Sequence, residues 1–537
     1  MNSKKIFSII IGLALPILVF YVYRKSYGYI YHSIDDVVIN YALLKQEVVL
    51  LPYVGIVLSN ILGGIQAISG NVNVFFIFLI TSYCISFSIF IYLVNILKNT
   101  FIKCMLVITL LTIEFLTIKY FTYSVISYLL ATAGILLLLK ENKNIIAIIL
   151  IFLGTSLRPQ IIVSLIILLL PIFVYELIKN KNYKKIIVVF SICFIVAASN
   201  KVYTIFDKTT DAYLKWNEKS TLIRDYPSID YDFKKEILEK NDISQNDLNS
   251  YNSWIFAEKD IFDNNFLNKL DNSRSLKEKY NFSIKNIILE AASNNFIKVI
   301  LFFDILLLLF YRVKNIYGYS IMLTPLILFF ALIIRQRLVE RIYIPIIVIF
   351  LVIVIIYFDQ FYRKRQFKLL ANTETAIFGL SCLLLLNYSI SYGKNNLYWF
   401  TKNTFEFNKH YNSEINSNPD LLYIFVGYGN LISSQPNTAK IFPEIENISS
   451  NITTLGNWQT FSKQYFKELN QLKIANADNL LSESVNNEKI KFIMPEESSA
   501  EIYIKNIFKE HYNRNVYFMK EKNLPEKIGI YSLRGES

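Results

Sequence analysis

Apolar windows of about 17–25 residues, long enough to cross the roughly 30 Å hydrocarbon core of a bilayer, recur through most of this chain. They lie near residues 6–23, 73–96, 102–118, 121–139, 145–157, 161–178, 185–199, 297–311, 317–334, 342–358 and 372–390. Several are short. The run from 145 to 178 is interrupted by Arg158-Pro159, the pattern of a broken or re-entrant element. Hydrocarbon satisfies no backbone polar group, so segments of this kind fold as helices packed side by side. Of the 537 residues, 53% are hydrophobic and 18% charged, whereas soluble proteins carry roughly 25% charged residues.

The loops set the expected orientation. Alternate connections are basic: Lys4-Lys5, Lys98 to Lys103, Lys140 to Lys143, Lys179 to Lys185, Arg312 to Lys314 and Arg363 to Lys368. With about 11 spans, all of these fall on the side of the N-terminus, and the positive-inside rule puts that side in the cytoplasm. Residues 1–5 resemble a signal-peptide start, but no convincing small-x-small cleavage site lies before Tyr21, so the first span reads as retained. The segment Leu50–Ser69 reads as an amphipathic helix pair on the outer surface.

The expected fold class is therefore mainly α: a polytopic helical protein, multi-pass in the cell membrane. Residues 1–392 form the membrane domain and include a large extracytoplasmic loop at 200–296. Residues 393–537 form a small C-terminal extracytoplasmic α/β domain. Within it, 421–427, 489–494, 516–519 and 527–533 read as strands, and 460–472 and 500–512 as helices.

The net charge of +13 meets no helix-turn-helix or zinc-finger pattern. The lipid bilayer, rather than nucleic acid, is the expected partner. Cys84, Cys104, Cys193 and Cys382 all lie in apolar spans without metal spacing. His32, His410 and His511 are far apart in sequence, so no histidine-built metal centre is expected.

The residues that carry chemistry gather at the expected outer boundary. Asp35 and Asp36, just after the first span, form a carboxylate pair that resists dual ionisation and suits a base or a cation ligand. A divalent cation there is the one cofactor the pair suggests. Asp35 stands at the expected N-cap of a helix starting near Val37, which leaves Asp36 free to project as the base. Arg335, Arg337 and Arg341 sit against the positive-inside trend, and Arg158 stands at membrane depth; guanidinium groups so placed suit a phosphate. Glu114 reads as a partner of Lys119 or a third acid, and Asp304 lies midway along a span. In the large loop, Arg224, Asp225, Asp247 and Trp254 have the side-chain types of a sugar-binding groove, and equally of ordinary caps and turns.

These features resemble the GT-C class of integral-membrane glycosyltransferases, and more narrowly a group of Gram-positive membrane proteins linked to surface polysaccharide. The likeness rests on Asp35-Asp36, Phe121-Thr122 with Ala131-Thr-Ala-Gly134, Arg224-Asp-Tyr-Pro227, Asn246-Asp247 with Trp254, and Arg337 to Arg341-Ile-Tyr-Ile-Pro345. The resemblance implies a polyprenyl-phosphate-linked sugar donor and a cell-surface glycan or lipid-linked acceptor. Asp36 or Asp35 would deprotonate the acceptor hydroxyl, and arginine would stabilise the departing phosphate. Two other functions fit the same residues: a polysaccharide polymerase, and a non-catalytic transporter or assembly partner for surface glycan.

Overall fold

The computed structural model describes residues 3–364 and 413–536, except 28–30, 32, 45–49, 52, 96–99, 142–143, 225, 227, 276–278, 281–282, 294–300, 302–303, 306–307, 309–310, 427–440, 444–450 and 525–526. The expected span at 372–390 lies outside the described residues, as do His32, His410, Cys382 and Asp225.

The helical part begins with α1 (Ser3–Tyr27), α2 (Ile34–Leu44) and α3 (Ile56–Ser69). It continues with α4 (Val74–Asn95), α5 (Thr100–Ile118), α6 (Tyr123–Lys140), α7 (Asn144–Leu157), α8 (Ile162–Ile178) and α9 (Tyr183–Phe206). Among the described residues, five helical segments are long and apolar enough to cross a membrane: Val74–Asn95, Tyr123–Lys140, Pro159–Ile178, Tyr183–Phe206 and Ile316–Ile334. Ile56–Ser69, Leu106–Ile118 and Asn144–Leu157 are shorter apolar helices. The expected interruption at Arg158-Pro159 is a single 3₁₀ turn, Pro159–Ile161, that separates α7 from α8. Proline lacks the amide that would continue the helix. Where a helix pair was expected over 50–69, one helix forms. Its first amide, Ile56 N–H, donates to Asn200 Oδ1 of α9 at 2.8 Å.

Burial ranks the helices. In α6, 94% of the apolar window is enclosed by the rest of the protein, against 28% for α9. α6 is thus the axis of the bundle, and α9 turns Ile187, Phe194 and Ile195 outward. The closest approach is between α6 and α7. A Cβ on Gly154 would lie 2.4 Å from the Ala131 nitrogen, and one on Gly134 would lie 2.8 Å from Ile151. Only small residues allow two helix backbones to meet this closely in an apolar bundle. Ser127 Oγ reinforces the crossing by donating to the Gly154 carbonyl at 2.7 Å.

The loop after α9 folds into α10 (Lys208–Arg224), α11 (Tyr231–Lys240), α12 (Gln245–Asn252) and α13 (Asn264–Asn272). Beyond the short helix Ile284–Ser293, two long helices follow, α14 (Ile316–Ile334) and α15 (Glu340–Ile356), flanked by the short ribbon β1 (Tyr311–Val313) and β2 (Tyr362–Lys364). The tail carries β3 (Leu422–Phe425), β4 (Ile452–Thr454), β5 (Ile490–Pro495), β6 (Val516–Leu524) and β7 (Ile528–Gly535). They form one mixed sheet in the order β4-β3-β5-β7-β6. Helices α16 (Lys463–Gln471) and α17 (Ser499–Tyr512) accompany it, as the sequence pattern anticipates; β4 is the strand that pattern misses.

Alternation of side chains along a strand gives the sheet two faces. Tyr423, Phe425 and Ile493 line one, with a small cluster of their own. Leu422, Ile424, Phe492 and Met494 line the other, in a core shared with Trp216, Leu248, Tyr251 and Phe256 of the loop. The loop and the tail therefore bury one common core. Glu258 of the loop stitches them by accepting from the Leu481 and Ser482 amides at 3.0 and 3.1 Å and from the Tyr512 hydroxyl at 2.5 Å.

The α6–α7 crossing sets a first prediction. Gly154→Ala should destabilise the purified protein by about 1–3 kcal/mol, the usual range for overpacking. Gly64→Ala, where a Cβ meets nothing within 4 Å, should leave stability unchanged or slightly raised. Equal melting temperatures for the two variants would contradict the close crossing.

Candidate functional site

Four chain segments meet at the start of α6. The amides of a helix's first turn have no partner within the helix, and hydrocarbon offers none. The preceding residue, Thr122, makes no side-chain cap. Instead Asp36, from α2, places Oδ1 2.6 Å from the Tyr123 amide and accepts its proton. A carboxylate at this position also meets the positive end of the helix dipole.

Asp35 and Asp36 are both buried in the first turn of α2, where neighbours on a helix diverge by about 100°. They accordingly meet different partners. Asp35 Oδ2 accepts from Arg341 Nη1 at 2.8 Å, at the first turn of α15. The helix cap expected of Asp35 belongs to Ser33, whose Oγ accepts from the Asp35 amide at 3.2 Å. Serine is among the preferred N-caps, and its position moves the helix start three residues earlier than Val37. The two acids thus divide their contacts, Asp36 to the Tyr123 amide and Asp35 to Arg341.

Arg158, in the turn between α7 and α8, donates through Nη1 to Ser124 Oγ and lies 5.2 Å from the Tyr123 ring. The Tyr123 hydroxyl is buried with no hydrogen-bond partner among the described residues, and the charges of Arg158, Asp35, Arg341 and Asp36 all act on it. Sequence reading missed Tyr123 and Ser124. The one signal was their place directly after Phe121-Thr122, a pair among those that carry the family resemblance.

The other expected residues divide. Arg335 caps the end of α14 and is exposed; Arg337 is half-buried in the same turn. Glu114 does not pair with Lys119: both of its carboxylate oxygens are buried on α5 without a partner among the described residues. Asp304 is likewise buried, with Oδ1 unpartnered. In the body formed by the loop and the tail, Ser244 caps α12 in a reciprocal box with Asp247, and Asp247 meets His511 Nε2 at 2.7 Å. Arg224 and Trp254 lie together, the guanidinium 4.4 Å from the indole. Asp247, Glu510 and His511 hold donor atoms within 4.8 Å of one another. The Ser244 hydroxyl already occupies Glu510, however, and Asp247 occupies His511.

Electrostatics single out Asp36. Burial pushes its carboxyl up to about 8; the Thr122 hydroxyl, the Tyr123 amide and, least, Arg158 oppose the rise, and the neighbouring Asp35 adds to it. Its Oδ2 has no hydrogen-bond partner among the described residues. That oxygen is placed to accept a proton, and the two guanidinium groups nearby suit a bound anion. Comparisons with protein-family models, curated proteins and solved structures find no match.

A second prediction follows from the sign of the shift. The folded state holds a proton on Asp36 that the unfolded chain releases above 3.8. That stabilisation is fully present below the unfolded value and is lost as pH rises through about 8. Thermal melts across this window should therefore fall more steeply with pH for the natural protein than for Asp36→Asn. Parallel curves would mean that Asp36 is ionised in the folded protein.

Proposed function

We propose that this protein is a membrane glycosyltransferase that moves a sugar from a polyprenyl-phosphate-linked donor to a cell-surface glycan or lipid-linked acceptor. The observation that carries this reading is the convergence of Asp36, Arg158 and Arg341 at one end of the helical bundle, around the start of α6. In the proposed topology this end faces outward, the N-terminus is cytoplasmic, and the loop–tail body stands outside the cell.

In the reaction, the acceptor hydroxyl oxygen forms a bond to the sugar's anomeric carbon. Its proton passes to Asp36 Oδ2. The bond from that carbon to the phosphate oxygen breaks, and its electron pair leaves with the lipid phosphate. Arg158 and Arg341 offset the charge that builds on that oxygen, which is the form of electrostatic stabilisation such a step needs. Asp35 holds Arg341 at 2.8 Å and is a positioning residue. A base with a pKa near the working pH combines an available lone pair with adequate basicity. A polysaccharide polymerase would use the same chemistry on a longer donor.

A transporter or assembly partner for surface glycan is the second reading. The unpartnered Glu114 carboxylate within an apolar helix favours it, since transport paths place ionisable groups at membrane depth.

The third prediction separates these readings. With a polyprenyl-phosphate sugar and purified protein, kcat/KM should rise about tenfold per pH unit below the Asp36 pKa and level off above it. Asp36→Asn should lower the rate by about 10²–10⁴. Asp35→Asn should shift the rising limb to lower pH, because it removes a neighbouring negative charge and releases Arg341. Unchanged turnover in Asp36→Asn would exclude the base assignment.

A further inference from the structure

The body formed by the loop and the tail contains a cation that no described group neutralises. Arg224 is the last residue of α10. Its Nε donates to the Ser220 carbonyl at 3.3 Å and its Nη2 to Asn217 Oδ1 at 3.4 Å, and both acceptors are neutral. Nη1 is buried with no partner among the described residues. The guanidinium lies over aromatic rings, 4.4 Å from Trp254 and 5.3 Å from Phe256. Arg224 as a whole is half-buried, its partners among the described residues are all neutral, and a bound anion would complete the hydrogen bonding of Nη1.

The surroundings are aromatic and rich in donors. Trp254 is 38% exposed and adopts a left-handed backbone, with φ of 60°, which is rare for a bulky residue. The turn around Gly456 lies directly on it, since a Cβ there would be 2.5 Å from the Trp254 carbonyl. That turn presents Trp458 and also Gln459, whose Nε2 is buried without a partner among the described residues. Tyr213, about three turns up α10 from Arg224, donates its hydroxyl to the Trp458 carbonyl. From the helical part, Tyr53 sets its ring edge-on to Trp458 at 6.0 Å. Two residues on, the Gly55 amide donates to the Ser156 carbonyl at 2.6 Å, two residues before Arg158. The chain thus links this neighbourhood to the site at the start of α6.

We infer that Arg224, Trp254, Trp458 and Gln459 form a binding subsite for an anionic sugar, one bearing a carboxylate or a phosphate. The indole faces meet the apolar face of the sugar ring, the Gln459 amide meets its hydroxyls, and Arg224 Nη1 meets the anion. As a site for the glycan delivered to Asp36, it rests on the glycosyl-transfer reading.

The test is calorimetric titration of the purified full-length protein with a glucuronic-acid oligosaccharide, its uncharged glucose counterpart, glucose 6-phosphate and inorganic phosphate. The charged oligosaccharide should bind at least about tenfold more tightly than the neutral one, a modest demand on one charge-assisted hydrogen bond. Arg224→Lys keeps the charge but loses the planar fork, and should weaken the charged sugar about tenfold at an unchanged melting temperature. Trp254→Phe should retain most of the binding, and Trp254→Ala should lose it. Glucose 6-phosphate binding as tightly as the uronate assigns the anion to either group, whereas inorganic phosphate matching the sugars would leave a plain anion site and overturn the sugar assignment. Equal binding of the charged and neutral oligosaccharides would overturn the subsite outright. Asp36→Asn should bind the uronate as the natural protein does. Uronate binding without any sugar transfer would sink the proposed reaction alone, and transfer without charge discrimination would sink the subsite alone.

Discussion

A helix enclosed on nearly every side cannot leave its terminal amides bare, and α6 is such a helix. Its N-terminal amide is met by Asp36, a carboxylate brought from another segment 87 positions earlier. This one contact requires α2 to dock against the bundle, and it buries the acid in doing so. Docking in turn brings Asp35 to Arg341 and the start of α15 to the same place. The raised proton affinity of Asp36 thus follows from the burial that finishing this helix imposes on it.

The other end of α6 is finished by an equally specific device. Lys140, in its last turn, lies 3.5 Å from the Tyr357 ring and donates to Gln360 Oε1 at 3.1 Å. Nearby, the buried Glu176 of α8 accepts from the Tyr357 hydroxyl at 2.8 Å and from Asn180 and Asn182 at 2.6 and 2.7 Å. A cation at a helix C-terminus complements the dipole. Here the acid has donors on every side and reads as a tie between α6, α8 and the end of α15. The contrast with Asp36 is informative. Two buried carboxylates serve the same axis, and only the one at the start of α6 keeps an oxygen without a partner.

Outside the bundle, the long loop and the tail make one body, since the sheet face formed by Leu422, Ile424, Phe492 and Met494 is covered by loop residues. Two acids hold this seam by different means. Glu258 caps the short helix Leu480–Glu483, and Asp247 meets His511, whose proton affinity is raised by that hydrogen bond. Asp247 is therefore tied into structure, whereas Arg224 from the same loop packs on Trp254, whose carbonyl meets the turn at Gly456.

Much of this was legible in the sequence because it depends on local periodicity. Apolar windows located α4, α6, α8, α9 and α14, and alternation in the tail located β3, β5, β6 and β7 together with α16 and α17. Arg158-Pro159 announced the break between α7 and α8, although Pro16, Pro171, Pro325 and Pro345 lie inside continuous helices, so a proline alone does not fix where a helix ends. The type and neighbourhood of Asp35, Asp36, Arg158 and Arg341 were also readable. What tertiary structure alone decided is who meets whom. Pairing Asp36 with Tyr123, and Asp35 with Arg341 across 306 positions, depends on helix packing that no local pattern encodes. The short strand β4 was missed because three residues carry too little alternation to register. Tyr123 and Ser124 were missed for the same reason as the charge state of Asp36: an ordinary residue acquires its chemistry from burial, and burial is a property of the assembled bundle.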